Sequence, residues 1–211
     1  MQDPIGDAVK RVQAGGLIAY PTETVWGLGS DASSHAAVAA LRAWKGRAAD
    51  APMSLLVTGA DELEALGFSV GAAALELAGA FWPGPLTLVL PCRAAFARAV
   101  GNPHGGVGVR CSSHPLAGAL ARRCAREGAG PITATSLNRS GSPPAQTRSQ
   151  AEAIVAGGPE TPQLLDVEMA EAGGESETTV VDLVGKEPTV LRWGSIAKDD
   201  LASVLREIAR A

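Results

Sequence analysis

Two cations separated by one glycine stand out in a chain that contains only four lysines. Lys45 and Arg47 flank Gly46 at the end of a predicted helix. Because glycine lets the backbone turn sharply, both side chains can point at one anion, as phosphate binding requires. The alternative is a solvated helix C-terminus, where cations are favoured without any ligand. Taken by itself, this unit favours the alternative.

Two arginines at predicted strands have a similar ambiguity. Arg110 ends the apolar run VGVR, and Arg192 lies inside TVLRW. An arginine in an apolar strand is uncommon unless it reaches a cleft or a carboxylate. A guanidinium can donate two hydrogen bonds to a carboxylate or a phosphate. For each arginine, a structural ion pair is equally compatible with the pattern.

Two polar loops follow predicted strands. Residues 135–141 (TSLNRSG) offer hydroxyls, an amide and a glycine turn whose N–H groups could bind an anion. Residues 21–29 (PTETVWGLG) combine hydroxyls with a tryptophan and two glycines. Either could be an ordinary turn-rich loop. Strand and helix ends are nevertheless where sites on α/β sheets form.

Several common catalytic patterns are missing from the sequence. It has no GxxxxGK[ST] phosphate loop, no GxGxxG and no GxSxG. The three histidines lack metal-ligand spacing, and the three cysteines form no CxxC pair, so we predict reduced thiols and no zinc site. The remaining cations, hydroxyls and amides suit positioning and charge stabilisation, as in nucleotidyl transfer.

Composition limits the class of protein. The 211 residues fit one domain, predicted over residues 1–211, and 46% hydrophobic residues predict a packed core. A net charge of −4 argues against non-specific nucleic-acid binding as the main task. No apolar run reaches the ~18 residues of a membrane span, and the N-terminal pattern is that of an amphipathic helix, so we expect no signal peptide. We therefore expect no membrane association and a cytoplasmic location.

Hydrophobic periodicity predicts alternating helices and strands, hence an α/β domain with a mixed sheet. The predicted strands cover residues 17–20, 54–58, 86–91, 107–110, 131–136, 164–167, 178–184 and 189–193. The predicted helices comprise an N-terminal helix before Gly15, one capped by Ser34, one or two within 61–80, one from Pro115 to near Gly128, one with a Ser149/Glu152 capping box to about Ala156, and one around 201–208. Residues 21–34 read as a polar turn, and loops 157–163 and 168–177 read as mobile.

Taken in chain order, six segments resemble the YrdC/TsaC family, the threonylcarbamoyl-AMP synthases of tRNA modification. They are AYPTETVWGLGSDA (19–32), KGR…PMSLLV (45–57), FWPGPLTLVL (81–90), VGVRCSSHP (107–115), PITATSLNRSGSPP (131–144) and ETTVVDL…VLRWGS (177–195). The resemblance implies a single YrdC-like α/β domain with a twisted mixed sheet, flanking helices and a concave basic cleft. The 211 residues match the short form of the family, so we expect neither the linker nor the second domain of longer members.

The resemblance also implies an activity. The family forms L-threonylcarbamoyladenylate and pyrophosphate from L-threonine, bicarbonate and ATP, and partner enzymes pass the threonylcarbamoyl group to tRNA. Mg²⁺ is expected to arrive with the nucleotide, because the sequence shows no carboxylate cluster to hold it. Weak RNA binding would be compatible with a basic cleft.

Matching the family's motifs assigns roles to nine side chains. Lys45 and Arg47 match its KxR motif and are expected to act in catalysis. The expected threonine contacts are Thr24, Arg110, Ser136 and Thr178. The expected nucleotide contacts are Arg47, Asn138, Ser140 and Arg192.

The chain departs from the family pattern at three places. Ala51 stands where the family often has asparagine, and Leu55 and Leu56 stand where some members have histidine. Thr178 replaces a common serine, which keeps the hydroxyl and adds a methyl group.

Two other function classes stay open at this point. One is a non-catalytic module that binds double-stranded RNA, although the charge and the scarcity of aromatics weigh against it. The other is a carbamoyl-transfer domain of the hydrogenase-maturation type, although that type adds zinc-finger CxxC pairs that this chain lacks.

Overall fold

The computed structural model describes residues 3–156, 161–165, 167, 171–174 and 176–210. Helices and strands alternate along these residues without strict regularity. Their order is α1 (Pro4–Gln13), β1 (Ile18–Tyr20), β2 (Gly27–Gly29), α2 (His35–Lys45), β3 (Ser54–Leu56), α3 (Ala72–Phe81), β4 (Leu86–Pro91), α4 (Ala97–Val100), β5 (Gly106–Arg110), α5 (Pro115–Glu127), β6 (Ile132–Ser136), α6 (Arg148–Val155), β7 (Gln163–Leu164), β8 (Thr179–Asp182), β9 (Thr189–Arg192) and α7 (Lys198–Ile208).

The strands form one mixed sheet in the order β7-β1-β2-β6-β3-β5-β4-β8-β9. The pairs β1–β7, β3–β5 and β4–β8 are parallel, and the remaining neighbours are antiparallel. The predicted single α/β domain with a mixed sheet is confirmed. Because the neighbours in the sheet are often distant in sequence, loops from the whole chain meet along it.

Each face of the sheet carries its own hydrophobic core. Along β1, Ile18 and Tyr20 belong to the core that α1 and α5 cover, whereas Ala19 belongs to the other core. Leu55 and Leu56 divide in the same way. Successive side chains of a strand point to opposite faces, so a sheet buried on both sides needs uninterrupted apolar strands.

Local end signals set the helix boundaries. The Ser34 hydroxyl accepts the Ala37 N–H at 3.2 Å and begins α2, which Gly46 ends in the left-handed conformation at φ 64°. Pro115 opens α5, and Gly128 ends it at φ 68°. These predictions are confirmed, since glycine accepts a left-handed backbone without steric cost.

The predicted capping box of α6 is wrong by two residues. The helix begins after Thr147, whose hydroxyl accepts the Gln150 N–H at 3.3 Å. The Gln150 Oε1 accepts the Thr147 N–H at 3.2 Å in return. The Ser149 hydroxyl is paired with Thr147 Oγ1 at 3.0 Å instead, so it does not cap the helix.

Other differences concern weak or short patterns. β2 lies inside the segment predicted as a polar turn. The sequence did not predict this strand because its three residues, GLG, show no alternation of apolar and polar side chains. Residues 61–67 form turns, and α3 begins only at Ala72. The predicted strand 164–167 is observed as Gln163–Leu164, and residue 166 lies outside the described residues. Parts of the loops predicted as mobile, residues 157–160, 168–170 and 175, also lie outside them. No described helix is both long and apolar enough to cross a membrane.

Candidate active site

A cleft of about 230 Å³ opens along the sheet where the β1–β2 turn, the end of α2 and the ends of several strands meet. Of the nine predicted site residues, six line it: Thr24, Arg47, Arg110, Ser136, Thr178 and Arg192. Three do not line it: Lys45, which ends α2, and Asn138 and Ser140, which lie in the loop after β6. The lining includes three arginines and one carboxylate, that of Glu177.

Arg110 stands at the end of β5 and is paired with a carboxylate. Its Nη2 donates to Glu23 Oε1 at 2.6 Å, and the Ser112 hydroxyl donates to the other oxygen of Glu23. The guanidinium also contacts Thr24 Oγ1, at 3.4 Å from Nη2 and 3.5 Å from Nη1. The ion pair that the sequence left open therefore exists, and it lies at the cleft.

Hydrogen bonds within the β1–β2 turn hold Thr24 in place. The Thr22 hydroxyl donates to the Val25 carbonyl at 2.7 Å and lies 2.9 Å from Thr24 Oγ1. Both threonines are buried. A buried hydroxyl needs a partner, so this small network fixes the direction of Thr24 towards Arg110.

Lys45 is buried to 2% exposure and is engaged by the loop after β6. Its Nζ donates to the Ser136 carbonyl at 2.5 Å, the Asn138 carbonyl at 3.0 Å and Asn138 Oδ1 at 2.7 Å. An ammonium group has three N–H donors, so the loop uses all of them. Burial, with Arg47 nearby, lowers the pKa of Lys45 to about 8.

Arg47 reaches the cleft from the far side of Gly46. Its Nη1 donates to Thr135 Oγ1 at 3.2 Å, and its Nη2 donates to the Pro52 carbonyl at 2.7 Å. Among the described residues, no carboxylate forms an ion pair with it. Burial, together with the charge of Arg42, lowers its pKa from the usual value, which is high enough that the guanidinium stays charged.

Asn138 organises the loop that follows β6. Its Oδ1 accepts from Lys45 Nζ and from the Ser136 hydroxyl at 2.9 Å, while its Nδ2 donates to the Ser142 carbonyl at 2.6 Å. The Ser140 N–H donates to the Lys45 carbonyl at 2.7 Å. The loop and the end of α2 are thus joined by hydrogen bonds that each of them donates to the other.

Arg192 ends the edge strand β9 and contacts the neighbouring segment. Its Nε donates to the Thr178 carbonyl at 3.0 Å, its Nη2 donates to Thr178 Oγ1 at 3.0 Å, and its Nη1 pairs with Glu177 Oε2 at 2.7 Å. The Thr178 hydroxyl also lies 2.8 Å from Thr87 Oγ1. The hydroxyl of Thr178, the residue that stands in place of a common serine, is therefore held between Thr87 and Arg192.

Sequence reasoning missed Glu23, Thr87 and Glu177 as residues of the site. Thr87 had a signal, because it is a polar residue inside the apolar strand LTLVLP. Glu23 lies inside the candidate polar loop of residues 21–29, yet nothing in the sequence predicts that it pairs with Arg110. Of the departures, Leu55 and Leu56 lie in the two cores, and the Ala51 carbonyl accepts from Arg42 Nη2 at 2.8 Å.

Metal-ligating side chains do not cluster in the part of the chain that the structure describes: no group of three or more histidines, cysteines, aspartates or glutamates comes together there. His114 instead caps α5, where its Nδ1 accepts the Leu116 N–H at 3.2 Å. Cys92, Cys111 and Cys124 are buried free thiols, as predicted.

Comparison with known proteins places these features in a family. The Sua5/YciO/YrdC family model, described as "Telomere recombination", matches residues 10–194. A protein of Xanthomonas campestris named threonylcarbamoyl-AMP synthase is 42% identical over 148 residues, covering 67% of this chain and 75% of that protein. The crystal structure of Pyrococcus abyssi Sua5 complexed with L-threonine superposes with a TM-score of 0.86 at 32% identity. That match covers 97% of this chain, which spans 58% of the Sua5 chain.

A more distant likeness concerns the carbamoyl-transfer alternative. The structure of full-length HypF in its phosphate- and nucleotide-bound form matches with a TM-score of 0.73 at 17% identity, covering 29% of that chain. At this identity the likeness shows a shared fold alone. It does not favour the alternative function.

Proposed function

Because the chain belongs to the Sua5/YciO/YrdC family, we propose that it is an L-threonylcarbamoyladenylate synthase. It forms threonylcarbamoyl-AMP and pyrophosphate from L-threonine, bicarbonate and ATP. The observation that carries this proposal is the convergence of Arg47, Arg110 and Arg192 with Thr24, Ser136 and Thr178 in one cleft. These residues come from segments spread over most of the chain, and charged and hydroxyl groups that converge on one cleft are typical of a ligand site.

The reaction brings two anions together. The threonine amine forms a bond to the carbon of bicarbonate and water leaves, which gives a carbamate. One oxygen of this carbamate attacks the α-phosphorus of ATP. A new P–O bond forms, the bond from the α-phosphorus to the bridging oxygen breaks, and pyrophosphate leaves with that electron pair. Attacker and electrophile are both negative, so fixed cations lower the barrier by compensating charge that develops in the transition state.

Arg110 is the proposed partner of the threonine carboxylate. Thr24, Ser136 and Thr178 provide hydroxyls for the rest of the amino acid. They lie on three separate segments, so their spacing is set by the fold before substrate arrives. Positioning of this kind contributes to rate because it removes the entropic cost of orienting reactants.

Arg47 and Arg192, with Asn138 and Ser140, are the proposed nucleotide contacts. Arg47 suits the phosphates, because its guanidinium is charged, lines the cleft and has no carboxylate partner among the described residues. Lys45 is proposed to act in catalysis without lining the cleft itself. Its charge adds to the local field while its N–H groups hold the Ser136–Asn138 loop in shape.

Mg²⁺ is proposed to enter with the ATP phosphates. The product is proposed to pass to enzymes that transfer the threonylcarbamoyl group to tRNA, with weak RNA binding at most by this chain. A cytoplasmic location follows from this proposed role in tRNA modification. The net charge of −4 does not favour a double-stranded RNA-binding module as the main function.

The test is threonine-dependent pyrophosphate release from a mixture of protein, ATP, bicarbonate and L-threonine. We expect release in the wild type and a loss of about a hundredfold in Arg47→Ala, the usual effect of removing a charge-stabilising donor. Arg98→Ala, which changes an exposed arginine of α4, is the matched control and should retain activity. Release that is independent of threonine, or full activity in Arg47→Ala, would contradict the proposal.

A further inference from the structure

Resting on the function proposed above, we propose that Glu23 makes the Arg110 end of the cleft select a zwitterionic amino acid over anions that lack an ammonium group. Glu23 does not line the cleft, whereas Arg110 does. Glu23 is therefore a positioning residue that acts through Arg110, and no role in the site was expected for it.

The Glu23–Arg110 pair is short and shielded. The two side chains are 14% and 12% exposed, and 2.6 Å separates Glu23 Oε1 from Arg110 Nη2. Ser112 donates to the second carboxylate oxygen, so neither oxygen is free to turn away without losing a partner. A pair that is largely shielded from water keeps more of its Coulomb attraction than an exposed one.

The positive charges of the other two arginines of the cleft are neutralised less completely by carboxylates. Arg47 donates only to neutral oxygens, those of Thr135 and Pro52, in the contacts that the described residues make. Arg192 is paired with Glu177, but these side chains are 42% and 41% exposed, so solvent screens their interaction. The cleft is therefore uneven, with a balanced charge at Arg110 and a net positive charge at Arg47.

The backbone of the Glu23 turn is held from the other side by two glycines. The Gly173 N–H donates to the Thr22 carbonyl and the Gly174 N–H to the Thr24 carbonyl, each at 2.9 Å. A Cβ on Gly174 would lie 2.9 Å from the Glu23 carbonyl oxygen, and one on Gly173 would lie 3.1 Å from Glu23 Cα. A side chain at Gly174 would therefore displace the backbone of the turn, and the two hydrogen bonds hold the backbone segment that carries Glu23.

This arrangement has a consequence for ligand choice. A carboxylate without an ammonium group brings a second negative charge to a guanidinium that Glu23 has already neutralised. A zwitterion brings its own positive charge, so its approach leaves the local charge balanced. The same repulsion keeps the phosphates of ATP and pyrophosphate at the Arg47 end, which leaves the amino-acid end open for threonine.

The test compares L-threonine with 3-hydroxybutyrate, which has the same carboxylate and hydroxyl but no α-ammonium group. Calorimetric Kd values are measured for both ligands on the wild type and on Glu23→Gln, which removes the charge and keeps an oxygen acceptor for Arg110. We expect the preference for threonine, the ratio of the two Kd values, to fall about fivefold or more in Glu23→Gln, with 3-hydroxybutyrate binding more tightly. Glu23→Asp, which keeps the charge, should restore much of the preference.

Glu177→Gln is the matched control, because it removes the same charge from the arginine pair at β9. It should leave the ratio for the two ligands within about twofold. An unchanged ratio in Glu23→Gln, or equal weakening of both ligands, overturns the inference. The wild type gives a second test that needs no variant: pyrophosphate should not compete with L-threonine for binding, and competition would overturn the inference. If the wild type does not bind threonine at all, the proposed function fails instead.

Discussion

Lys45 shows how a buried charge can serve a site without touching its ligand. Its ammonium group is surrounded by oxygens of the Ser136–Asn138 loop, and burial costs it part of its affinity for the proton. With a pKa of about 8, it is mostly charged at neutral pH and becomes neutral in mildly alkaline solution. A neutral amine has only two donors and a lone pair, which would face an acceptor oxygen.

Raising the pH through about 8 should therefore reduce the proposed activity by loosening this loop. Stability should respond in the opposite direction. Between pH 8 and 10.5 the unfolded chain holds the Lys45 proton more strongly than the folded chain, so this linkage alone makes the free energy of unfolding rise with pH. The measurements are pH profiles of pyrophosphate release and of thermal unfolding, each for the wild type and Lys45→Met. A wild-type activity that does not fall in this window relative to Lys45→Met would contradict the assignment.

At the scale of single residues, the sequence predicted six side chains that line the cleft, but it did not predict the partners of these side chains. Lys45 and Arg47 are candidates because the glycine between them lets both cations point at one anion, and Arg110 and Arg192 are candidates because arginine is uncommon in an apolar strand. Their partners could not be predicted, since Arg110 meets Glu23 across 87 positions and Lys45 meets Asn138 across 93. No local pattern encodes contacts at such separations.

Among the elements, the β8–β9 hairpin carries the Arg192 end of the site on an exposed sheet edge. Gly194 lets the chain after β9 pass directly over the backbone of Glu177 and Thr178, where an added Cβ would overlap with backbone atoms. The Gly194 and Ile196 N–H groups both donate to Thr179 Oγ1, at 3.0 and 3.3 Å. This close approach keeps Arg192 within reach of Thr178.

Gly194→Ala should therefore separate Arg192 from Thr178 and destabilise the fold by about 1–3 kcal/mol, as overpacking usually does. The KM for ATP should rise as well. Gly79→Ala is the matched control, because a Cβ at this position of α3 meets nothing within 4 Å. It should stabilise the protein by about 0.5–1 kcal/mol. Chemical denaturation of both variants and ATP saturation curves check this, and equal stabilities would refute it.

Prediction of α2 from the sequence succeeded because its determinants are local and unambiguous, whereas the start of α6 offered two similar capping patterns two residues apart. Helix α2 begins and ends at Ser34 and Gly46 because a side-chain cap and a left-handed glycine are each encoded by one residue. Strand β2 was missed because only its neighbours β1 and β6 define it. Likewise, the sheet order depends on pairings between distant segments, which hydrophobic periodicity does not specify.

On the scale of the whole molecule, the labelling of three buried free thiols can measure how readily the two cores open. Cys92 and Cys111 lie in one core and Cys124 in the other. Burial raises the pKa of each of these thiols, so little thiolate forms in the native protein. Their reactivity therefore depends on opening of the structure, because the thiolate is the reactive species.

A thiol reagent such as dithiobisnitrobenzoate should label the native protein slowly and the unfolded protein at once. Cys111 directly follows Arg110, so a bound threonine should slow its labelling more than that of Cys124. The measurement uses variants that keep one cysteine each, with mass spectrometry to count the labels. Rapid labelling of the native protein would show that the cores open readily, and equal protection of all three sites would point to global stabilisation only.

Hydrogen bonds run in both directions between the end of α2 and the loop after β6, from Lys45 Nζ to the loop and from the Ser140 N–H back to the Lys45 carbonyl. Arg47 and Ser136, which are assigned to different substrates, are consequently linked through the hydrogen bonds of Lys45. We expect any shift of Arg47 on nucleotide binding to be passed through these hydrogen bonds to Ser136, so that the affinities for the nucleotide and for threonine are coupled. Thermodynamics requires this influence to be reciprocal: whatever factor the nucleotide imposes on threonine affinity, threonine imposes on the nucleotide.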